Sequence, residues 1–418
     1  MSTTATQPIA EGIDNPSLKS QLHRAERLRK IKAAALVMPL AIFLLIVFVA
    51  PISQMLWRSV DNTELSQEMP QTAALLLRWD GQQLPNQEVY ATFAQELQIS
   101  RQEGGLGRVG RRLNYEKPTF RGLLVRTLRR LPAQASAADY AEALANSDRA
   151  WSEIATWQAI KKAAAPTTDR YLLASLDLER NSQGEIQSIT ETQRVYLSVF
   201  QRTIVIAGSV TLICLLLGFP LAYLLASLPA SKSNLLLIFV LLPFWTSLLV
   251  RTASWIVLLQ SGGLINTSLM NLGIIEDPLQ LVFNRFGVLV AMVHILLPFM
   301  ILPLYSVMKG ISPTYQRAAI SLGCHPFVAF WKVYAPQTVS GVAAGALLVF
   351  IMALGYYITP TLVGGPSDQM VSYYVAYYTN TTNNWGMAAA LGSLLLIVTL
   401  LLYLVYHRLV NQKQLVRN

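Results

Sequence analysis

Charged residues are scarce in this chain, and so are cysteine and histidine. Of its 418 residues only 13% are charged, two are cysteine and four are histidine. Soluble globular domains carry about 25% charged residues, so an ordinary soluble enzyme is disfavoured. The two cysteines, Cys214 and Cys324, lie in separate regions. The sequence therefore predicts neither a disulfide framework nor a metal site.

The sequence also lacks a nucleotide-binding loop and intramembrane acids. No G-x-x-x-x-G-K-[ST] pattern occurs, so we do not expect this chain to hydrolyse ATP, and we predict no catalytic residue on it. If the chain takes part in uphill transport, the energy must come from a partner chain or an ion gradient. Acidic residues are missing from its apolar runs, and such residues are typical of gradient-driven carriers.

Long apolar runs are the main feature that is present. Hydrophobic residues make up 53% of the chain, and the mean hydropathy is +0.40. A helix that crosses a bilayer needs about 20 apolar residues. The runs predict an all-α membrane protein whose partner is the lipid bilayer. Its six expected transmembrane helices lie at residues 33–57, 203–228, 235–259, 286–308, 339–360 and 387–407.

The distribution of Lys and Arg predicts the orientation of these spans. Basic side chains concentrate in the tail at residues 1–32 and again after the last span, in and just before the tail at residues 409–418. Because such clusters favour the cytoplasmic side, both tails are expected in the cytoplasm of a bacterium with the chain in its inner membrane. Because basic residues cluster beside the spans, membrane topology accounts for the net charge of +10, and we expect no nucleic-acid partner.

Residues 58–201 predict an outer, periplasmic domain inserted between the first two spans. We expect an α+β fold, with helices at 117–130 and 137–164, the second capped by Ser136. Strands at Tyr171–Leu178 and Glu185–Thr190 flank a predicted four-residue turn, Asn181–Gly184. The domain contains no histidine or cysteine, which excludes histidine triads and most zinc chemistry. A docking or capping role is favoured over an enzymatic one.

The segment Ser312–Pro336 is a polar interval between two apolar runs. It starts with a serine followed by proline, which is typical of a helix beginning. Gly323 predicts the end of that helix, and Pro326 the start of a second one that we expect to end before Pro336. Two short helices joined by an elbow of small residues would form a projection to which another protein can bind.

This spacing resembles the EAA loop of inner-membrane permeases in binding-protein-dependent ABC importers, a type I importer fold in which the loop docks on a cytoplasmic ATPase. The chain departs from the family pattern at one position, because an arginine stands where the family usually has glutamate. The residues that carry the resemblance, and that we expect to form the ATPase-coupling loop, are Arg317, Ala318, Ala319, Gly323, Val333 and Pro336.

Further segments resemble the spermidine/putrescine branch of these permeases. They are Pro243–Thr252, Leu297–Met300, Leu302–Tyr305 and Ala353–Pro360. With the loop, the resemblance covers a five-helix permease core at residues 202–408. It implies a second homologous permease, two copies of the ATP-binding subunit and a periplasmic solute-binding protein. It implies no cofactor on this chain, since ATP and Mg belong to the ATPase, and alternating access as the mechanism.

Candidate residues of the translocation path follow from their chemistry. A charge inside an apolar span is expensive and often functional, which makes Arg251 a candidate gate or partner contact, although snorkelling to the interface remains open. Aromatic faces attract ammonium groups, and packing between helices is their alternative role. The candidates for the path or gate are Trp245, Arg251, Trp255, Tyr356 and Tyr357.

Two other functions remain open at this point. A gradient-driven secondary carrier is disfavoured because the spans lack acidic residues. A membrane receptor with a ligand-sensing outer domain would need an output domain on the cytoplasmic side, where only short tails and loops are expected. An ATP-driven permease for polyamines is the favoured interpretation.

Overall fold

The computed structural model describes residues 16–132, 135–181 and 184–415, and its contacts divide the chain after Trp57. The first unit is a continuous helical rod. It consists of α1 (Pro16–Leu44), a π-helical turn (Leu45–Val49) and α2 (Ala50–Trp57). Its apolar stretch, Arg24–Trp57, is long enough to cross a membrane and includes the predicted span at 33–57.

The second unit begins with a mostly helical inserted domain, residues 58–195. One antiparallel hairpin pairs Leu178 with Ser188 and Arg180 with Ile186. The elements of the domain are α3 (Glu64–Glu68), α4 (Pro70–Arg78), α5 (Gln87–Gln102), α6 (Leu106–Glu116), α7 (Phe120–Arg130), α8 (Ala137–Ser147), a 3-10 turn (Arg149–Ser152), α9 (Ile154–Ala164), α10 (Arg170–Ser175), β1 (Leu178–Arg180), β2 (Ile186–Ser188) and a 3-10 turn (Glu191–Gln193).

Aromatic side chains form the core of this domain. Trp151 and Trp157 are fully buried, and Phe93 lies 5.1 Å and 5.5 Å from their ring centroids. The polar edges of the rings are satisfied, because the Trp151 indole donates to Thr127 Oγ1 at 2.8 Å and the Trp157 indole donates to the Trp151 carbonyl at 2.9 Å. The core residues come mainly from the helices and the single hairpin adds little, so the expected α+β fold is not confirmed.

Three details of the predicted domain are wrong. The helix expected at 137–164 breaks at Asp148, whose side chain accepts from the Ala150 amide at 3.1 Å and starts a 3-10 turn. The helix expected at 117–130 begins only at Phe120, after a proline. The segment predicted as strand Tyr171–Leu178 is mainly α10, and the strand starts at its last residue. Within the predicted turn, Ser182 and Gln183 lie outside the described residues.

The rest of the second unit is the helical core, residues 196–415. Its elements are α11 (Tyr196–Ser227), α12 (Ala230–Leu241), a 3-10 turn (Leu242–Trp245), α13 (Leu248–Leu259), α14 (Leu264–Asn271), α15 (Arg285–Lys309), α16 (Pro313–Ser321), α17 (Pro326–Ala329), a π-helical turn (Phe330–Tyr334), a 3-10 turn (Ala335–Thr338), α18 (Val339–Gly355), α19 (Ile358–Val363), a 3-10 turn (Pro366–Asp368), α20 (Val371–Asn380) and α21 (Trp385–Leu415).

Six helical stretches of the described chain are long and apolar enough to span a membrane. Five of them overlap the predicted spans closely. The predicted third span, 235–259, is instead two helices that meet at residues 246–247, and the stretch counted as spanning is Leu248–Asn271. Pro243 lacks an amide donor, and Ser247 accepts from the Val250 amide at 3.2 Å, so one helix ends and another begins.

Close packing joins α11, α15 and α18 into the centre of the helical core. A β-carbon on Gly345 of α18 would lie 2.8 Å from the Met300 sulfur, so this glycine permits the approach of α15. Gly218 of α11 lies against the other side of the same methionine, where a β-carbon would be 3.1 Å away. These two glycines therefore permit α11 and α18 to pack closely against α15.

Candidate functional site

The segment Ser312–Pro336 folds as a helical elbow between α15 and α18. Ser312 caps α16, since its hydroxyl accepts from the Thr314 amide at 3.3 Å. Gly323 ends the helix with φ +90°, in the left-handed region that favours glycine. His325 then caps α17 through its Nδ1, which accepts from the Phe327 amide at 3.3 Å. The capping residues therefore hold the elbow without help from a partner.

The second helix of the elbow does not end before Pro336, so that prediction is wrong. The helix continues from Pro326 to Gly355. A π-helical turn brings the Ala335 amide to the Phe330 carbonyl, and a 3-10 turn follows, with Pro336 near its start. Because a helical start needs no donor from proline, Pro336 is accommodated without a break. The elbow is thus continuous with α18.

The exposed side of the elbow carries the predicted coupling residues. Arg317, Ala318, Gly323 and Pro336 are exposed, whereas Ala319 and Val333 are half-buried. Large apolar side chains lie on the same surface: Tyr315, Leu322, Phe327 and Trp331 are 58%, 89%, 66% and 57% exposed. Large exposed apolar side chains of this kind make the elbow a candidate interaction site.

The opposite side of the elbow is fixed by aromatic contacts to α11. Phe330 stacks on Tyr334, with ring centroids 5.5 Å apart and an angle of 22°. Tyr223 of α11 meets both rings edge to face, at 5.4 Å and 5.2 Å. We call Tyr223, Phe330 and Tyr334 the aromatic anchor. Lys309, at the end of α15, also donates to the carbonyls of Ala226 and Leu228 at the end of α11.

Trp245, Arg251 and Trp255 lie at or after the break between α12 and α13, and the other two candidate path residues lie between α18 and α19. The Trp255 indole donates to His294 Nδ1 at 3.2 Å, with the two rings 5.5 Å apart. His294 is therefore a hydrogen-bond acceptor in a contact between two helices. Arg251 lies close enough to His294 and Tyr356 for its charge to act on both. The structure thus brings three of the five predicted path residues into one group.

Arg251 is unusual within this group. Its Nε and Nη1 atoms are buried and have no hydrogen-bond partner in the described part of the chain. A buried guanidinium nitrogen without a partner is costly, which makes this half-buried arginine a candidate contact for something outside the chain. The remaining two candidates are more open, since Trp245 is 74% exposed and Tyr357 is 38% exposed.

Sequence reasoning missed a cluster of tyrosines on α20. Tyr373 and Tyr377 stack with centroids 6.3 Å apart, and Tyr378 shares a hydrogen bond with Tyr196 of α11. Tyr373 and Tyr377 line a cavity of about 650 Å³ whose wall also includes Gly364. The pattern Tyr-Tyr-x-x-Tyr-Tyr at 373–378 was the available signal, because i and i+4 side chains share a helix face.

Six apolar helices, a core built around close helix contacts and an exposed helical elbow define a multi-pass membrane transport subunit. A family model described as binding-protein-dependent transport system inner membrane component matches residues 215–414. The spermidine/putrescine permease PotB of Haemophilus influenzae is 35% identical over 222 residues, covering 52% of this chain and 78% of the relative. PotB of Escherichia coli K12 is also 35% identical, with 81% of it covered.

The inner membrane ABC transporter permease YdcU of E. coli K12 is 31% identical over 222 residues, covering 50% of this chain and 70% of YdcU. A crystal structure of a bacterial alginate ABC transporter, bound to a periplasmic protein with alginate pentasaccharide, is similar over 50% of this chain and 76% of the compared chain, at 16% identity and a TM-score of 0.43.

The chain belongs to the family of inner-membrane components of binding-protein-dependent transport systems. It is a multi-pass permease subunit of an ABC importer and not the ATPase, which is a separate subunit in this family. Membership implies an ATPase and a solute-binding protein as partners.

Proposed function

We propose that this permease imports polyamines such as spermidine and putrescine. The observation that carries the proposal is the 35% identity to two spermidine/putrescine permeases over 222 residues. The group of Trp255, Tyr356 and neighbouring aromatic residues supports it, since aromatic faces attract ammonium groups by about 0.5–2 kcal/mol each. Carboxylates for the substrate would come from elsewhere, because the candidate spans from Tyr196 onward contain no Asp or Glu.

The elbow is proposed as the docking site for the ATPase. Its exposed apolar residues would enter a groove on that subunit, and the aromatic anchor would carry the movement to α11. The complete importer would contain a second, homologous permease, two ATPase copies that bind ATP and Mg, and a periplasmic solute-binding protein. ATP-driven closure of the two ATPases would then switch the spans between outward and inward access.

Both termini would lie in the cytoplasm and the inserted domain in the periplasm. The basic clusters before the first span and after the last span support this orientation; Arg417, at the end of the second cluster, lies outside the described residues. The inserted domain would dock the solute-binding protein or cap the entrance.

Uptake by the reconstituted importer tests the substrate. The complex is purified through a tag on this chain, placed in proteoliposomes with ATP inside, and supplied with radiolabelled spermidine and the cognate solute-binding protein. We expect ATP-dependent accumulation that an uncoupler does not reduce. Accumulation that survives an inactive ATPase but collapses with the uncoupler would identify a gradient-driven carrier instead.

Arg251 favours a second substrate class, namely small cationic solutes that also carry a carboxylate, such as opines and amino-acid derivatives. A guanidinium with two unpartnered nitrogens would pair with that carboxylate and repel a polyamine. In the same proteoliposomes, an Arg251→Gln variant separates the two. Its spermidine uptake should be retained if polyamines are the substrate, whereas uptake of a carboxylate-bearing solute should fall at least about tenfold, the loss expected for one charge-assisted hydrogen bond.

A further inference from the structure

Basic residues of the inserted domain concentrate in one segment, residues 101–130. This stretch holds eight arginines and one lysine against two glutamates. It forms the end of α5 and the antiparallel pair α6 and α7. The positive charge is therefore gathered on one part of the domain, where it can attract an anion.

A cavity of about 500 Å³ opens beside this segment. Its walls come from α6, α7 and the turn between α20 and α21 of the permease core. The lining side chains are guanidinium, hydroxyl and amide groups, and no carboxylate is among them. Those with donor groups are Arg108, Arg111, Asn114, Tyr115, Arg121, Thr381 and Thr382.

Two of the three arginines at the cavity have no compensating acid. Arg108 donates to Glu68 Oε1 at 2.5 Å and is neutralised by it. Within the described residues, Arg111 and Arg121 form no ion pair, and Arg111 Nε is buried without a hydrogen-bond partner. Two uncompensated guanidiniums can neutralise a phosphate group, and their forked donors match its oxygens.

The rest of the cavity wall supplies neutral hydrogen-bond donors and leaves space for a ligand. The hydroxyl of Tyr115 is also buried without a partner. Burial raises the pKa of Tyr115 to about 12, so the phenol keeps its proton and can donate. Gly104 and Gly107 face open space, since a β-carbon on either would meet nothing within 4 Å. A ligand oxygen in the cavity would give these donors an acceptor.

We propose that this cavity binds a phosphate group, supplied either by a soluble phosphate or by a lipid headgroup. Because its walls belong both to the inserted domain and to the α20–α21 turn, an occupant would join the domain to the start of the last span. The site is separate from the path residues and does not depend on which solute is imported.

Binding of inorganic phosphate to the full chain tests the proposal. The chain is purified in dodecyl maltoside, a detergent without phosphate, and radiolabelled phosphate binding is measured by equilibrium dialysis at physiological ionic strength. We expect saturable binding that weakens at least about tenfold in Arg111→Gln and in Arg121→Gln, the loss of one charge-assisted contact. Arg129→Gln is the matched control, because Arg129 is exposed on α7 and does not line the cavity.

The second arm uses nanodiscs that contain phosphatidylglycerol. Unchanged phosphate binding there would identify a soluble ligand, and loss of phosphate binding by the unmodified chain would identify the lipid headgroup as the occupant. Absence of saturable binding in the phosphate-free detergent, or equal weakening by Arg129→Gln, would overturn the proposal. Arg121 is exposed, so its variant remains informative even if Arg111→Gln does not fold.

Discussion

At the scale of single residues, Asp177 fixes the inserted domain to the permease core. Its carboxylate is buried and accepts from the amides of Val195, Tyr196 and Leu197 at 3.1, 3.0 and 2.8 Å. These amides begin α11, where a negative charge is stabilised by the unpaired donors and the helix dipole. Asp177 also has φ +57°, a left-handed conformation that aspartate tolerates better than most residues.

Gly323 is the residue on which the shape of the elbow depends most. Its φ of +90° is strained for any residue with a β-carbon, by about 1–2 kcal/mol, although a side chain there would meet open space. We expect Gly323→Val to leave membrane insertion intact and to reduce co-purification of the ATPase at least about fivefold, the factor that corresponds to 1 kcal/mol. Quantitative pull-down from solubilised membranes measures both.

Gly310→Ala is the matched control for this experiment. Gly310 follows α15 with φ −80°, and a β-carbon there makes only an ordinary contact, 3.5 Å from the Val307 carbonyl. We expect this variant to retain the ATPase. Normal ATPase recovery and uptake with Gly323→Val would refute a docking role for the elbow.

At the scale of elements, the helix that starts at Pro326 has two faces with different tasks. Phe327 and Trp331 point away from the core and are more than half exposed, whereas Phe330 and Tyr334 pack on Tyr223 of α11. Spacing by four residues places the two members of each pair on one face, and the two faces are adjacent because the Phe330 and Trp331 rings meet edge to face at 5.4 Å. The outer pair would hold the ATPase, and the inner pair would transmit its movement.

Two substitutions on this helix should therefore fail in different ways. Phe327→Ala should weaken ATPase recovery, because it removes exposed apolar area from the docking surface. Phe330→Ala should retain the ATPase but lower transport per ATP hydrolysed, because the aromatic anchor is lost. Coupled uptake and hydrolysis assays in proteoliposomes measure this ratio. If both variants lose the ATPase to the same extent, the anchor has no separate coupling role.

The same elements show what the sequence could predict. Apolar runs and helix caps were sufficient for five of the six spans and for the first helix of the elbow, since hydropathy and capping are local properties. The break before α13 was missed because Pro243 lies within a continuous apolar run, and hydropathy alone does not distinguish a turn there from a continuous helix. The contacts of Asp177 were missed because its partners are about twenty residues away in the sequence. In addition, the segment that contains it, Tyr171–Leu178, was predicted to be a strand.

At the scale of the whole second unit, α11 connects the two parts with proposed functions. The amides at its start donate hydrogen bonds to Asp177 of the inserted domain, and Tyr223 of the aromatic anchor lies in its last turns. A second contact joins the inserted domain to α21, since a β-carbon on Gly386 of α21 would lie 2.4 Å from the Tyr171 ring of α10. Movement at the elbow therefore has a continuous helical route towards the inserted domain.

This arrangement requires the elbow and the inserted domain to lie on opposite sides of the membrane, which thiol labelling can test. Cys324, in the elbow, is partly exposed, and Cys214 is buried in α11. Gln187 lies on the exposed strand β2, so Gln187→Cys adds a reporter in the inserted domain. In cells that lack the ATPase, an impermeant maleimide should modify Gln187→Cys in right-side-out spheroplasts and Cys324 only in inverted vesicles.

Each reporter has its own control in this experiment. Cys214 should remain unlabelled in both preparations because its side chain is fully buried. Restoring the ATPase should then protect Cys324 in inverted vesicles, since the docked subunit would cover the elbow, while labelling of Gln187→Cys in spheroplasts stays unchanged. Labelling of Cys324 from outside, or of both reporters from one side, would exclude the proposed orientation and with it the transmission of ATPase movement through α11.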